Sequence, residues 1–167
     1  MEEYQKIKKS SDSIMEVFYN VEVYGSYNLP FEYPAILVGN YRSYTDIFTL
    51  MYSTTGKINF LTAKSLPGPM SFPLADTIEC RKQMLKSLKN NELMNIYLEE
   101  KRISKEKEYV FKVAQEVGIP VIPYGIKGTY KLGNKIIINF GEAINFKGCD
   151  PEMIEPILSS KIKKLSE

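Results

Sequence analysis

A chain of 167 residues, 44% hydrophobic and 25% charged, has the length and apolar content of one soluble globular domain with a sizeable core. Its 22 basic and 20 acidic residues leave a net charge of +2, which excludes the basic excess of a dedicated nucleic-acid binder. There is no histidine, and this removes imidazole bases, histidine metal ligands and Ser–His or Cys–His nucleophile pairs.

Two cysteines, Cys80 and Cys149, are too few for a disulfide scaffold and fit a reducing compartment. No stretch approaches the ~18 unbroken apolar residues of a membrane span. Residues Met1 to Ser10 are charged and polar and lack the apolar stretch of a signal peptide. The sequence therefore reads as cytoplasmic, with a peripheral membrane contact left open.

The pattern predicts a helix over residues 6–19, where Ile14, Val17 and Phe18 recur at helical spacing. Short β-branched or aromatic runs then alternate with helical stretches. Strands are expected at Val21–Tyr24, Ala35–Val38, Ile58–Leu61, Thr77–Cys80, Met94–Leu98, Val121–Ile126 and Lys135–Phe140. Helices are expected at Asp46–Ser53, Lys82–Asn90 and Lys105–Val117, the last stopped by Gly118 and Pro120. A final helix over 150–165 takes Cys149 or Asp150 as its N-cap and Pro151 at its first position. The alternation predicts a single-domain α/β fold over residues 1–167, its mixed, mostly parallel sheet flanked by helices.

In such folds functional residues collect past the carboxyl ends of the strands. The first such loop is Gly39-Asn40-Tyr41-Arg42-Ser43-Tyr44-Thr45-Asp46. Taken singly, Asp46 is an N-cap and Asn40 a turn residue. Only three of the 22 basic residues are arginine, namely Arg42, Arg81 and Arg102, and each follows an expected strand. Arginine suits a site that must hold phosphate or carboxylate with a planar, multi-donor group, although three independent surface arginines give the same pattern. An apolar, Pro-rich segment, residues 67–74, lies nearby in sequence; if exposed it could touch a bilayer or an acyl chain, and if packed it is a lid.

Four segments in order resemble the motifs of the lysophospholipid and glycerol-phosphate acyltransferases. The family's Asn-His-x-Ser-x-x-Asp is met by Asn40, Ser43 and Asp46, with Arg42 also common there and Tyr41 where the histidine belongs. Its Gly-x-x-x-x-Arg is met by Asp76 to Arg81, keeping the arginine. Its Phe-Pro-Glu-Gly-Thr-Arg is met by Tyr97-Leu98-Glu99-Glu100-Lys101-Arg102, keeping Glu99 and Arg102. Its Pro-rich strand is met by Gly118 to Pro123, and Val23 to Pro30 and Ala63-Lys64-Ser65-Leu66 are also similar. The resemblance spans about residues 20–146.

It implies a glycerol-phosphate acyltransferase-like fold, with Tyr41, Asp46 and Glu99 at catalytic positions. Arg42, Ser43, Lys64, Arg81 and Arg102 fall at substrate-binding positions, and neither cofactor nor metal is called for. The implied ligand is a lysophospholipid or glycerophosphate, the implied acyl donor acyl-CoA or acyl carrier protein, with peripheral membrane contact and no nucleic acid.

In the family the histidine takes a proton from the acceptor hydroxyl. A tyrosine has an ordinary pKa of ~10 against ~6.5 for histidine, a handicap of roughly 4–5 kcal/mol at neutral pH. Asp46 beside it would raise the phenol further. Glu99 or Asp46 as base, or Cys80 as a thiolate favoured by Arg81, are the alternative routes. Glu100 and Lys101 also replace the family's Gly-Thr, bringing a negative charge toward the phosphate. Three readings follow: a lipid- or protein-binding pseudoenzyme, a diverged active acyltransferase, and an interaction module with a closed pocket.

Overall fold

The structure, a computed structural model, describes every residue except Pro67 and Ala75. Its elements run α1 (Glu2–Phe18), β1 (Asn20–Tyr24), β2 (Ala35–Gly39), α2 (Thr45–Tyr52), β3 (Ile58–Leu61), α3 (Thr77–Lys89), β4 (Leu93–Tyr97), α4 (Ser104–Val117), β5 (Val121–Gly128), β6 (Lys135–Phe140) and α5 (Pro151–Ser166). The six strands form one sheet in the order β1-β6-β5-β2-β4-β3. Every neighbouring pair is parallel except β5 and β6, which are joined as a hairpin.

Successive side chains of a strand face opposite sides, and β2 shows how the core divides. Ala35 and Leu37 pack with Ile47, Leu50 and Met51 of α2 and Tyr4 of α1. Ile36 and Val38 pack with Met84 of α3, Val110 and Phe111 of α4, and Leu158 of α5. The sheet is thus sandwiched between an α1–α2 layer and an α3–α4–α5 layer. Because β2, β3 and β4 are parallel, the loops that follow them all emerge at one edge.

The expected strand at Thr77–Cys80 is instead the opening of α3. Asp76 caps that helix by accepting from the backbone N–H groups of Ile78 and Glu79. A satisfied N-cap outweighs the strand preference of Thr77 and Ile78. Arg81 therefore stands in the second turn of a helix rather than after a strand. The first helix starts at Glu2 rather than residue 6, and the last runs Pro151–Ser166 behind the N-cap Asp150. The helix α4 ends where Gly118 takes a left-handed φ of 81°. Within the Pro-rich segment Pro67 lies outside the described residues, Met70 is buried, and Phe72 joins the core. Among the described residues no helix is long and apolar enough to cross a membrane.

Candidate functional site

The loop after β2 is built around Asp46, which is fully buried in the first turn of α2. Its Oδ2 accepts from the backbone N–H of Arg42 at 2.6 Å and of Ser43 at 3.0 Å. Its Oδ1 accepts from the hydroxyl of Tyr130, and the Arg42 guanidinium stands 3.5 Å away. Four donors thus surround one carboxylate, a pattern that holds a buried charge in place. Ser43 contributes locally, its Oγ accepting from the Thr45 N–H at 3.3 Å.

The same loop is tied to β5. The Asn40 carboxamide donates to the Ile126 carbonyl at 3.2 Å and accepts from its N–H at 3.0 Å, extending the β2–β5 ladder by one side chain. Arg42 Nη1 donates to the Gly128 carbonyl at 2.8 Å. Gly39, the last residue of β2, lies so close to Tyr124 that a Cβ would stand 2.2 Å from its ring. Only glycine permits that approach.

Tyr41 is half-buried and packs edge-on against Tyr97, ring centroids 4.9 Å apart. The Lys64 ammonium sits 4.0 Å from the centroid of the Tyr41 ring. Burial, then the charges of Asp46 and Glu100, push the Tyr41 phenol above its ordinary range. Beneath it, the Tyr124 hydroxyl donates to Asn95 Oδ1 at 2.8 Å. The Tyr97 hydroxyl and Asn95 Nδ2 are buried without a partner among the described residues. Tyr130 is pushed up by burial and by Asp46, and its hydroxyl also lies 2.9 Å from that of Thr49.

The loop after β4 behaves differently. Glu100 turns back toward the segment after β3 and accepts from the Ala63 N–H at 2.7 Å and the Thr62 hydroxyl at 2.8 Å. Lys64 Nζ is 3.9 Å from the same carboxylate. The acid expected to oppose a phosphate is thus engaged within the protein. Glu99 is exposed and lines a cleft of 1440 Å³ between α4 and α5, together with Leu98 and Lys107. Arg102 is exposed on the short 3₁₀ turn Lys101–Ile103. Arg81 lays its guanidinium over the Tyr109 ring of α4 at 4.4 Å, and its Nε is buried without a partner among the described residues.

The sequence-derived site residues therefore share one sheet edge but divide between its layers. Arg42, Ser43 and Asp46 form one bonded cluster, with Tyr41 and Lys64 packed beside it. Arg81 and Glu99 belong to the α3–α4–α5 side. Cys80 is buried, and burial pushes its thiol up to about 11 despite Arg81, so it is no thiolate nucleophile at neutral pH. Tyr130 escaped sequence reasoning, because no local signal marks a tyrosine that reaches a carboxylate 84 positions away in the chain. Among the described residues no group of three or more Cys, Asp or Glu side chains is arranged to hold a metal ion.

No family model matches the sequence. It is 26% identical over 148 residues to a chloroplastic 1-acyl-sn-glycerol-3-phosphate acyltransferase of Brassica napus, covering 75% of this chain and 43% of that protein. It is 28% identical over 148 residues to the chloroplastic enzyme of the same name from Arabidopsis thaliana, covering 74% of this chain and 41% of that one. The fold matches the crystal structure of the 1-acyl-sn-glycerophosphate acyltransferase from Thermotoga maritima with a TM-score of 0.68, over 96% of this chain and 78% of that one, at 21% identity. The chain is thus similar in sequence to 1-acyl-sn-glycerol-3-phosphate acyltransferases and shares the fold of a 1-acyl-sn-glycerophosphate acyltransferase. It spans less than half the length of the curated relatives it matches. Within the family pattern, Tyr41 stands where the motif histidine belongs, and Asp46 is bonded to Tyr130, Arg42 and the loop backbone.

Proposed function

We propose that this protein binds a phosphate-bearing lysophospholipid or glycerophosphate without transferring an acyl group to it. One observation carries the reading. The position of the family base holds a phenol raised above its ordinary range, and the acid that would orient a base is already saturated by four donors. A neutral phenol flanked by carboxylates does not accept a proton at neutral pH. Glu99, the other carboxylate in the family register, lines the cleft between α4 and α5 and makes no hydrogen bond or ion pair with Tyr41 or Asp46 among the described residues.

Binding is favoured by the cations left free to meet an anion. Arg81 is held in place by stacking on Tyr109, its buried Nε without a partner among the described residues, and Arg102 is exposed on the turn after β4. Each well-formed charge-assisted hydrogen bond contributes about 1.5–3 kcal/mol. The setting is cytoplasmic, with the protein meeting its lipid at a membrane surface.

The test combines turnover and binding. Acyl transfer from acyl-CoA and from acyl carrier protein to lysophosphatidic acid or glycerol 3-phosphate is expected to be negligible. Titration calorimetry with the same acceptors should show micromolar-to-millimolar binding that Arg81→Ala weakens. Robust turnover would favour the diverged enzyme. Absent binding, or equal affinity in Arg81→Ala, would favour a protein-interaction module.

A further inference from the structure

The two edges of the sheet are finished in different ways. At the β3 edge the chain covers itself. The Phe60 N–H donates to the Met70 carbonyl, the Phe72 N–H donates to the Phe60 carbonyl, and the Ile58 N–H donates to the Tyr4 hydroxyl. Both backbone groups of Phe60 and the Ile58 N–H, which β3 turns outward, are therefore paired. At the β1 edge they are not. The Asn20 N–H donates to the Asn134 carbonyl in the β6 direction, so the alternation of a strand turns Glu22 and Tyr24 the same way. Val21 and Val23 then point their N–H and C=O groups off the sheet, and among the described residues nothing bonds them. Among the described residues no proline, bulge or covering segment blunts this edge, whose devices against strand pairing are its five-residue length and the Glu22 carboxylate.

Exposed apolar side chains flank the strand at both ends. Val17 (73% exposed) and Phe18 (44%) precede it; Tyr24 (53%) and Tyr27 (85%) close it. We propose that β1 pairs antiparallel with β1 of a second copy of this chain, making one continuous sheet across a two-fold axis at Glu22. In that register Val21 faces Val23 of the other copy. The two residues exchange both backbone hydrogen bonds, twice over by symmetry. Antiparallel pairing also brings Val17 and Phe18 of each copy against Tyr24 and Tyr27 of the other, so both exposed clusters gain a partner.

The area is adequate. At roughly 150–250 Å² per aromatic side chain, the exposed fractions of Phe18, Tyr24 and Tyr27 amount to about 270–455 Å² per copy, to which Val17 adds. Strand pairing brings the total toward the ~800 Å² per partner of a specific interface. Glu22 meets its own copy across the axis, a like-charge pair that is tempered because each Glu22 binds Lys135 at 2.7 Å. Association is therefore modest in strength and tighter once that charge is removed. The inference is independent of the lipid reading, since β1 contributes nothing to the Tyr41–Asp46 cluster.

Sedimentation velocity on the full chain, from low micromolar to submillimolar, should show a reversible monomer–dimer equilibrium. Val23→Pro removes an N–H that makes no bond within one copy, so it should weaken the dimer about tenfold or more with an unchanged circular dichroism spectrum. Glu22→Gln should tighten it about two- to fivefold. Hydrogen exchange on the unmodified protein gives a reading that needs no variant: the Val21 and Val23 amides should be protected in concentrated solution and exchange freely in dilute solution. A monomer throughout the range would overturn the proposal. So would a dimer in which these two amides stay unprotected, or one that Val23→Pro leaves intact.

Discussion

The loops after β2 and after β4 emerge side by side at one sheet edge, yet they treat their polar residues in opposite ways. In the β2 loop Asn40, Arg42, Ser43 and Asp46 are bonded to each other, to β5 or to Tyr130. In the β4 loop the Glu100 side chain is bonded, backward to the segment after β3, while Glu99, Lys101 and Arg102 are exposed. The closed loop keeps three of the four defining residues of the acyltransferase motif it resembles, and the open one keeps two of six. A motif residue can thus persist because it holds a loop together, whether or not it handles substrate. Asp46 does the structural part of that work here.

Alkaline titration should separate the two sides most strongly. The layer under the β2 loop contains Tyr4, Tyr41, Tyr97 and Tyr124, each held neutral by burial with its pKa raised. A group whose folded pKa is raised contributes stability that is complete below the unfolded value and is lost as pH rises toward the folded one. Tyr4, pushed up to about 12, alone should cost roughly 3 kcal/mol between about pH 10 and pH 12, and the other three act with the same sign. Urea unfolding across this window should show a steep loss of stability that Tyr4→Phe makes shallower. A flat profile would mean that these phenols are not buried in the folded protein.

Removing the carboxylate comes next. Asp46→Ala leaves the Tyr130 hydroxyl and two N–H groups without their acceptor and Arg42 without its partner, and should destabilise the fold by about 2–4 kcal/mol. A loss this large would identify Asp46 as a scaffold residue. Thermal unfolding unchanged by the substitution would remove that reading.

The donor can be probed alone. Tyr130→Phe should cost about 1–2 kcal/mol. Combined with Asp46→Ala it should add little, because one bond is lost only once. Full additivity in the double-mutant cycle would mean that the two side chains do not interact.

On the β4 side the effect is smaller. Glu100→Gly removes the acceptor of Thr62 and Ala63 and should cost about 1 kcal/mol, with faster hydrogen exchange at the Ala63 amide. It should not create acyl transfer, since Tyr41 and Asp46 are untouched. Turnover appearing in this variant would show that Glu100 had been the obstacle.

Much of this architecture was legible in the residues. Ile58–Leu61 and Lys135–Phe140 are strands with the predicted bounds, and four other strands fall within one or two residues of expectation. Their β-branched runs are bounded by turn residues, so local preference and tertiary demand agree. Thr77–Cys80 was misread because β-branched residues also open helices when an aspartate caps them, and capping depends on a side-chain rotamer that the sequence does not display. At the site, Asn40, Tyr41, Arg42, Ser43 and Asp46 lie in one short stretch and could be found from spacing. Tyr130 and the turned-back Glu100 could not, since each acts on a segment distant in the chain. Strand order decides those encounters, and strand order is invisible to local periodicity.

That order also shapes how the chain must fold. The central strand β2 is flanked by β4 and β5, and Asn20 at the start of β1 is matched to Lys135. Early segments therefore wait for partners made much later, and such non-local parallel pairing slows folding and prolongs the exposure of apolar strands. During synthesis on the ribosome β2, apolar at Ala35, Ile36, Leu37 and Val38, leaves the exit tunnel long before β5 exists to cover it. A nascent chain of this protein accordingly carries the apolar β2 run without its β5 neighbour until translation has passed Gly128.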